Sequence, residues 1–312
     1  MAKHIRLALD CTPNTIHTGF YVAAHKGYFD DLGLEVEFIS PETDDYSVSP
    51  AKKVAKGLAE IAIAPSESAI SFQTKKNPVP LIAVATILAR DASGIATLHQ
   101  SGIERPAQLD GKVYASYKAR FEDQIIRELI KNDGGQGNLE LIYPERLGIW
   151  NTLLEHKADA TWIFLPWEGV EARLKGIQLN IFQLADYNIP YGYSPVVLTH
   201  QSFLTKKRLR KFLKATAKGY HFAKNNPLEA ADILIKTSQH PSLHDQALVE
   251  QSQVFIAQYY LDEKGEWGIM QNKVWVEFVQ WLLQHKILKD SNKRLIDKLN
   301  PYQLFTNDVL ED

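Results

Sequence analysis

Strand and helix signals alternate from the first residues of this chain, and that alternation restricts its fold more than any other feature. Ile5 to Leu9 alternates apolar with basic or small residues, the pattern of a strand, and the polar loop Asp10 to Asn14 follows. Thr18 to His25 reads as a helix closed at Lys26-Gly27. Leu34 to Ile39 is a second alternating strand, and Pro50 to Lys56 a short helix that stops at Gly57. Glu60 to Ala64 is the small-residue apolar run of a buried parallel strand, with Ser66 placed to cap the next helix. This β-α-β-α-β order is that of a doubly wound α/β sheet.

A strand at Leu81 to Leu88 ends the first block, and Arg90-Asp91-Ala92-Ser93-Gly94 reads as a crossover into a second one. There, strands are expected at Ile95 to Leu98, Gly111 to Ser116, Leu139 to Tyr143 and Ala160 to Phe164, with helices at Glu122 to Asn132 and Ile149 to His156. Pro195 to Thr199 reads as a returning strand. From Lys206 onward the pattern is almost wholly helical, as in the spacing of Leu209, Phe212, Leu213, Ala217 and Tyr220. The expected organisation is a discontinuous first lobe, residues 1–90 with 195–312, and an inserted second lobe, residues 91–194, joined by two crossovers as a hinged clam-shell. A chain of 312 residues suffices for two cores. Ligands of such sheets lie beyond the carboxyl ends of the strands, in the cleft between lobes, so unusual residues there become candidates.

Composition removes several classes. The 35 Lys and Arg residues against 37 Asp and Glu leave a formal net charge of −2, which argues against a general nucleic-acid binder. Cys11 is the single cysteine, so an intrachain disulfide and a cysteine-only metal site are both excluded. No stretch approaches the roughly 20 apolar residues of a membrane-spanning helix. Met1-Ala2-Lys3-His4 is too short for the basic, apolar and cleavage regions of a signal peptide. The chain as it stands is therefore expected in the cytoplasm, or in the periplasm or at the cell surface if a leader has been removed.

Five constellations carry chemistry. Asp10 to Gly19 gathers hydroxyls, an amide and an imidazole after the first strand; helix capping explains Asp10, Thr12 or Thr15, but not Asn14 and His17, of which at least one is expected to contact a ligand. Ala64-Pro65-Ser66-Glu67-Ser68 follows the third strand. Glu67 there has two readings, a carboxylate complementing the helix dipole or an acceptor for a ligand amino group or cation. Tyr117, Lys118 and Arg120 precede a helix in the second block. Cations cost about 0.3–1 kcal/mol at such an end, a cost that a bound phosphate or carboxylate would reverse. Exposed cations offset by Glu122 and Asp123 are the bland alternative.

Trp162-Ile163-Phe164-Leu165-Pro166-Trp167-Glu168-Gly169 is the most informative segment. Flat aromatic faces suit a planar heterocycle by offset stacking. Core packing explains a lone tryptophan well, but Trp167 follows a proline in a turn and precedes Glu168. Tyr191 and Tyr193 add phenols at the return crossover. No metal site is expected: His240 and His244 are four apart in a polar loop, without a third ligand, and read as solvated histidines. Phosphate-binding P-loop, Rossmann glycine and nucleophile-elbow motifs are all missing.

Several of these segments resemble, in order, the motifs of the thiamine-pyrimidine precursor family. They are Asp10-Cys11-Thr12-Pro13-Asn14-Thr15 with His17-Thr18-Gly19, Gly27-Tyr28-Phe29 with Gly33-Leu34-Glu35-Val36, Ala64 to Ser68, Trp162 to Gly169, and Tyr191-Gly192-Tyr193-Ser194-Pro195. The similarity runs over about residues 4 to 285; in the family, Trp commonly stands where this chain has Cys11. The resemblance implies a two-lobed periplasmic-binding-protein type II fold with a hinge and a largely helical C-terminal region. It implies one of two activities. One is solute binding for an ABC importer, with ligands such as formylaminopyrimidine. The other is the fungal-type synthase of hydroxymethylpyrimidine phosphate, which consumes pyridoxal phosphate and one of its own histidines, with iron. The synthase lysine and histidine fall on Ala64 and Ser68, and its cysteine-rich run on Tyr191 to Pro195, so the residues of that chemistry are missing here.

The resulting expectation is a small-molecule binding protein that closes on a planar heterocycle of the thiamine-pyrimidine type. Trp162, Trp167 and Tyr117 would stack on the ring, Glu67, Asn14 and His17 would read its exocyclic groups, and Lys118 or Arg120 would meet an anionic substituent. Ser66, Phe164, Glu168, Tyr191 and Tyr193 complete the candidate set. No cofactor is expected on this reading. The alternative is a divergent synthase-like enzyme using pyridoxal phosphate. Neither nucleic acid nor membrane insertion is expected, and an ABC importer is the candidate partner.

Overall fold

A computed structural model describes residues 3–145, 147–290 and 292–310. The chain is two-lobed and α/β, dividing into two compact units: unit 1 holds the chain through Asp91 and again from Gly192, and unit 2 is Ala92–Tyr191. The chain therefore passes between the units twice.

Unit 1 begins with β1 (Lys3–Ala8), α1 (Thr18–His25), β2 (Leu34–Ile39), α2 (Pro50–Ala55), β3 (Ile61–Ala64), α3 (Glu67–Gln73) and β4 (Leu81–Thr86). Unit 2 contains β5 (Ser93–Leu98), β6 (Lys112–Ala115), α4 (Glu122–Asn132), β7 (Leu139–Ile142), β8 (Ala160–Phe164), α5 (Val170–Leu174) and β9 (Leu179–Phe182). The return into unit 1 gives β10 (Val196–His200) and the helices α6 (Lys207–Asn225), α7 (Pro227–Ser238), α8 (Gln246–Ile256) and α9 (Asn272–Gln284).

The two sheets share one plan. Unit 1 has the order β2-β1-β3-β10-β4 and unit 2 the order β7-β6-β8-β5-β9. In each, the fourth strand in space runs antiparallel to both neighbours: β10 between β3 and β4, β5 between β8 and β9. The expected parallel strand Glu60 to Ala64 is thus parallel to β1 on one side only. Continuous burial follows from this central position, since Ile61 to Ala64 are covered on both faces. The free edge of β4 is closed by the C-terminal segment: Ala83 N donates to Leu304 O at 2.9 Å and Thr306 N to Ala83 O at 2.9 Å.

Helix α1 lies against α6 at very short range. Gly19 and Gly219 face one another, and a Cβ on Gly219 would collide with the carbonyl of Gly19. Phe20 stacks on Phe212 at 6.0 Å, and Phe212 on Phe29 at 5.5 Å, so the apolar stripe read along α6 is the surface that receives α1.

Unit 2 is built around Ala96, Ala115, Ile149, Leu153, Ile163 and Ala172. The helix expected at Ile149 to His156 is replaced by successive turns. Leu154 N reaches back five residues to Ile149 O at 3.0 Å, as Lys157 N does to Thr152 O at 2.9 Å. The Thr152 hydroxyl takes the Gly148 carbonyl at 2.7 Å, and His156 adopts φ 53°. A hydroxyl that occupies the i−4 carbonyl competes with the helix ladder, while Ile149 and Leu153 still reach the core.

Candidate functional site

In unit 1, the loop after β1 is organised by Asn14 and His17 together. Asn14 caps a single 3-10 turn, Thr15–His17, its Oδ1 accepting from Ile16 N at 2.9 Å, while Asn14 N donates to His17 Nδ1 at 3.3 Å. This corrects the sequence expectation: capping explains both residues, and Thr15, taken there as a cap, is buried. With Nδ1 accepting, the imidazole turns its Nε2 proton to Asp10 Oδ1 at 2.8 Å. Burial pushes the Asp10 carboxyl up, but the hydrogen bond from the His17 ring, with smaller contributions from its own backbone N–H and the Cys11 thiol, outweighs it and holds the group below the usual range. Asn14 Nδ2 donates to Cys11 Sγ at 3.2 Å. Donor atoms of Asp10, Cys11 and His17 lie within 4.8 Å of one another, the composition of a mixed metal set. Its bonding differs, because the ring offers Asp10 a proton and not a lone pair.

What fixes this loop is far away in sequence. Tyr220 of α6 donates to Ile16 O at 2.6 Å and Tyr260 to Thr15 O at 2.6 Å. The Thr15 and Ser252 hydroxyls meet at 2.6 Å, Thr18 donates to Gln253 Oε1 at 2.6 Å, and Gln253 Nε2 donates to Tyr260 at 3.2 Å. No local pattern betrays these phenols. Tyr260→Phe is expected to cost about 1–3 kcal/mol in urea unfolding, because Thr15 O and the Gln253 amide lose a buried partner. A stability change below about 0.5 kcal/mol would show the network to be redundant.

His240 differs from the sequence expectation of a solvated loop residue. It is half-buried, its Nε2 meets Glu42 Oε2 at 2.8 Å, and its Nδ1 meets Ser242 Oγ at 2.8 Å. Ser242 in turn donates to Pro13 O in the first loop at 2.7 Å. His244 is exposed. At the end of β3, Ser66 begins α3 without the side-chain cap that the sequence suggests. Its Oγ is buried with no hydrogen-bond partner among the described residues, against Gly192, where an added Cβ would stand 2.5 Å from it. Glu67 is only 6% exposed. Tyr193 is buried as well, its hydroxyl accepting from Gln271 N at 2.9 Å.

In unit 2, the loop before α4 is pinned by Glu122. Its Oε1 accepts from Tyr114 hydroxyl at 2.9 Å and Tyr117 N at 3.1 Å, and its Oε2 from Ala119 N at 3.2 Å. Burial raises the Glu122 carboxyl above its ordinary range despite these donors. The backbone N–H groups of Tyr117 and Ala119 are therefore taken by the chain's own carboxylate, and Lys118 N by Ser116 Oγ at 3.0 Å. The side chains remain outside: Tyr117, Lys118 and Arg120 are exposed, with Lys118 Nζ 5.2 Å from the Tyr143 ring centre.

The aromatic segment ends β8. Trp162 meets Tyr191 at 5.2 Å with 60° between rings, so two candidates far apart in sequence are brought together. Leu165–Gly169 then forms a π-helical turn, a form often found at functional sites, and it carries Trp167 and Glu168. Trp162, Phe164, Trp167 and Glu168 are all half-buried. Glu168 Oε2 accepts from Phe164 N at 3.0 Å, and burial pushes the carboxyl up to about 7. This group, next to Trp167 in the chain, exchanges its proton near neutrality. It can give or accept a hydrogen bond.

A family model described as NMT1/THI5 like matches residues 14–230, more than half of the chain. The chain belongs to the NMT1/THI5-like family. Among relatives, the formylaminopyrimidine-binding protein of Halalkalibacterium halodurans is 22% identical over 289 residues, covering 91% of this chain and 86% of that protein. The 4-amino-5-hydroxymethyl-2-methylpyrimidine phosphate synthase THI11 of Saccharomyces cerevisiae is 26% identical over 242 residues, covering 72% and 68%. Among solved structures, the periplasmic aliphatic sulphonate binding protein SsuA of Escherichia coli aligns with TM-score 0.67 at 13% identity, over 97% of this chain and 92% of that one. For this NMT1/THI5-like protein the likeness establishes the solute-binding-protein fold. Among the described residues, no helix is long and apolar enough to cross a membrane.

Proposed function

We propose that this protein binds a thiamine-type pyrimidine or a closely related planar heterocycle, in thiamine salvage or biosynthesis. The observation that carries the reading is the aromatic end of β8: Trp162 is paired with Tyr191, and the π-helical turn that follows the strand carries Trp167 and Glu168. An aminopyrimidine offers a flat ring for stacking and amino protons for a carboxylate, and this turn supplies an acceptor for each. The formylaminopyrimidine-binding relative, alike over nearly the whole chain, supports the same ligand class.

Each unit is assigned its own contacts. In unit 2, Trp162, Trp167 and Tyr117 stack, Phe164 and Tyr191 border the ring, Glu168 accepts from an amino group, and Lys118 or Arg120 meets an anionic substituent. In unit 1, the half-buried Asn14 reads an exocyclic group. His17, Ser66, Glu67 and Tyr193 are buried and act by shaping the loops they belong to. An ABC importer is the partner class that this fold suggests, and a periplasmic or cell-surface location goes with it.

The synthase among the relatives raises a second reading, and the residues do not fit the pyridoxal phosphate and iron chemistry that the family resemblance implies for such an enzyme. By that resemblance the Schiff-base lysine falls on Ala64, a methyl buried in β3, and the cysteine-rich run on Tyr191 to Pro195. Neither an amine for a Schiff base nor a thiolate for iron is present at those places.

Native mass spectrometry of the gently purified protein, with an absorbance scan, tests both. A small intact mass released on denaturation without a visible band supports the binding protein. A pyridoxal-type band or a mass loss on a histidine would sink it in favour of the enzyme. Trp167→Ala is expected to weaken formylaminopyrimidine by about 1–3 kcal/mol in calorimetry, nucleobase stacking being the guide. Unchanged affinity in a folded variant would remove Trp167 from the site.

A further inference from the structure

Two successive residues in the loop after β2, Asp45 and Tyr46, hold left-handed backbone angles of φ 50° and φ 59°. Neither is glycine. The left-handed region presses Cβ against the following carbonyl, so a loop free to relax would leave it. Here the surrounding bonds hold the loop in place. Tyr46 N donates to Pro41 O at 2.9 Å and Ser47 N to Asp44 O at 3.0 Å. Asp44 is paired at 2.8 Å with Lys53, whose side chain is 5% exposed, and Glu42 with His240 at 2.8 Å.

This scaffold presents the Tyr46 ring to the outside. Tyr46 is 56% exposed, and its hydroxyl has no hydrogen-bond partner among the described residues. Strands β1 and β2 stay in register to their ends, with Ala8 opposite Ile39 and Leu9 N donating to Ile39 O at 3.0 Å. The loop of Tyr46 therefore leaves the sheet beside the loop of Cys11 and Asn14, at the strand ends where such sheets take ligands. Burial, then Glu42 and Cys11, raises the Tyr46 hydroxyl above its ordinary value, in keeping with that neighbourhood.

We propose that Tyr46 is a ligand-contacting residue of unit 1, its ring a wall for a planar heterocycle, and that the left-handed Asp45-Tyr46 pair is retained because it aims that ring. Strain kept by an over-determined loop is typical of ligand clamps. The inference rests on the heterocycle-binding reading above and adds to it a residue that the sequence did not single out.

Tyr46→Gly is the decisive variant, because glycine takes the left-handed angle freely and removes the ring. Its urea midpoint is expected to rise above wild type. Its affinity for formylaminopyrimidine in calorimetry is expected to fall about tenfold or more, and Tyr46→Phe to stay within about twofold of wild type. A lower midpoint or an unchanged affinity for Tyr46→Gly overturns the proposal. Trp167→Ala, titrated alongside, separates the two ideas: weakened binding there with unchanged binding in Tyr46→Gly leaves the heterocycle reading standing and removes Tyr46. A wild-type protein that takes up neither formylaminopyrimidine nor 4-amino-5-hydroxymethyl-2-methylpyrimidine ends both.

Discussion

Gly219→Ala is expected to lower the unfolding free energy by about 3 kcal/mol, at the upper end of overpacking costs. The added methyl would collide with the carbonyl of Gly19, a backbone atom that cannot rotate away, with Ala23 N also close at 3.1 Å. Relief would require α1 and α6 to part. Parting would open the Phe20–Phe212 stack and draw Tyr220 away from Ile16 O. Alanine's better helix propensity returns only about 1 kcal/mol. Urea unfolding with a shared m-value reads the difference directly. A variant as stable as wild type would show that the two helices do not pack this closely. Because Tyr220 also anchors the first loop, the same variant should bind formylaminopyrimidine more weakly even where it is fully folded.

Glu168→Gln is expected to stabilise the protein at pH 8 by about 2–3 kcal/mol and to leave it unchanged near pH 4. The sign follows from the proton balance. The folded protein holds the Glu168 proton up to about 7, whereas an unfolded glutamate releases it near 4.3. Between those values the folded state binds more protons than the unfolded one, so stability falls as pH rises and the loss is complete above about 7. Glutamine keeps an acceptor for Phe164 N and carries no charge to desolvate. Stability curves at pH 4, 6 and 8 should therefore diverge between wild type and variant. Parallel curves would mean that Glu168 titrates normally. On the proposed function the same change weakens ligand binding at pH 8, since a carboxylate kept at this cost is the acceptor an amino group would use.

Much of the architecture was legible because its determinants are local. The limits of α1, β2 and β8 follow from alternation, a glycine stop and a β-branched or aromatic run, and the structure reproduces them. The family resemblance was legible for the same reason, being carried by short ordered motifs at strand ends. The first loop shows where local reading stops. Asn14 and His17 looked unexplained by capping, yet they form one reciprocal cap, because a 3-10 turn, Thr15–His17, precedes the helix that the sequence places at Thr18. Glu122 looked like a charge offset for its neighbours, yet it gathers the backbone donors of Tyr117 and Ala119. Tyr46 gave no signal at all, since a left-handed pair without glycine leaves no mark in composition.

The sequence by itself determined the α/β class, the strand and helix order, the family and the aromatic segment around Trp162, all of which depend on neighbours within a few residues. Tertiary structure decided which of those residues are available. It buried His17, Ser66 and Tyr193, left Tyr46 and Tyr117 exposed, and set the Glu168 proton near neutrality. It also tied the loop after β1 to Tyr220 and Tyr260, more than two hundred residues downstream. The physical reason is that hydrogen-bond partners and desolvation are properties of a place in space, and a chain brings remote residues to one place only by folding.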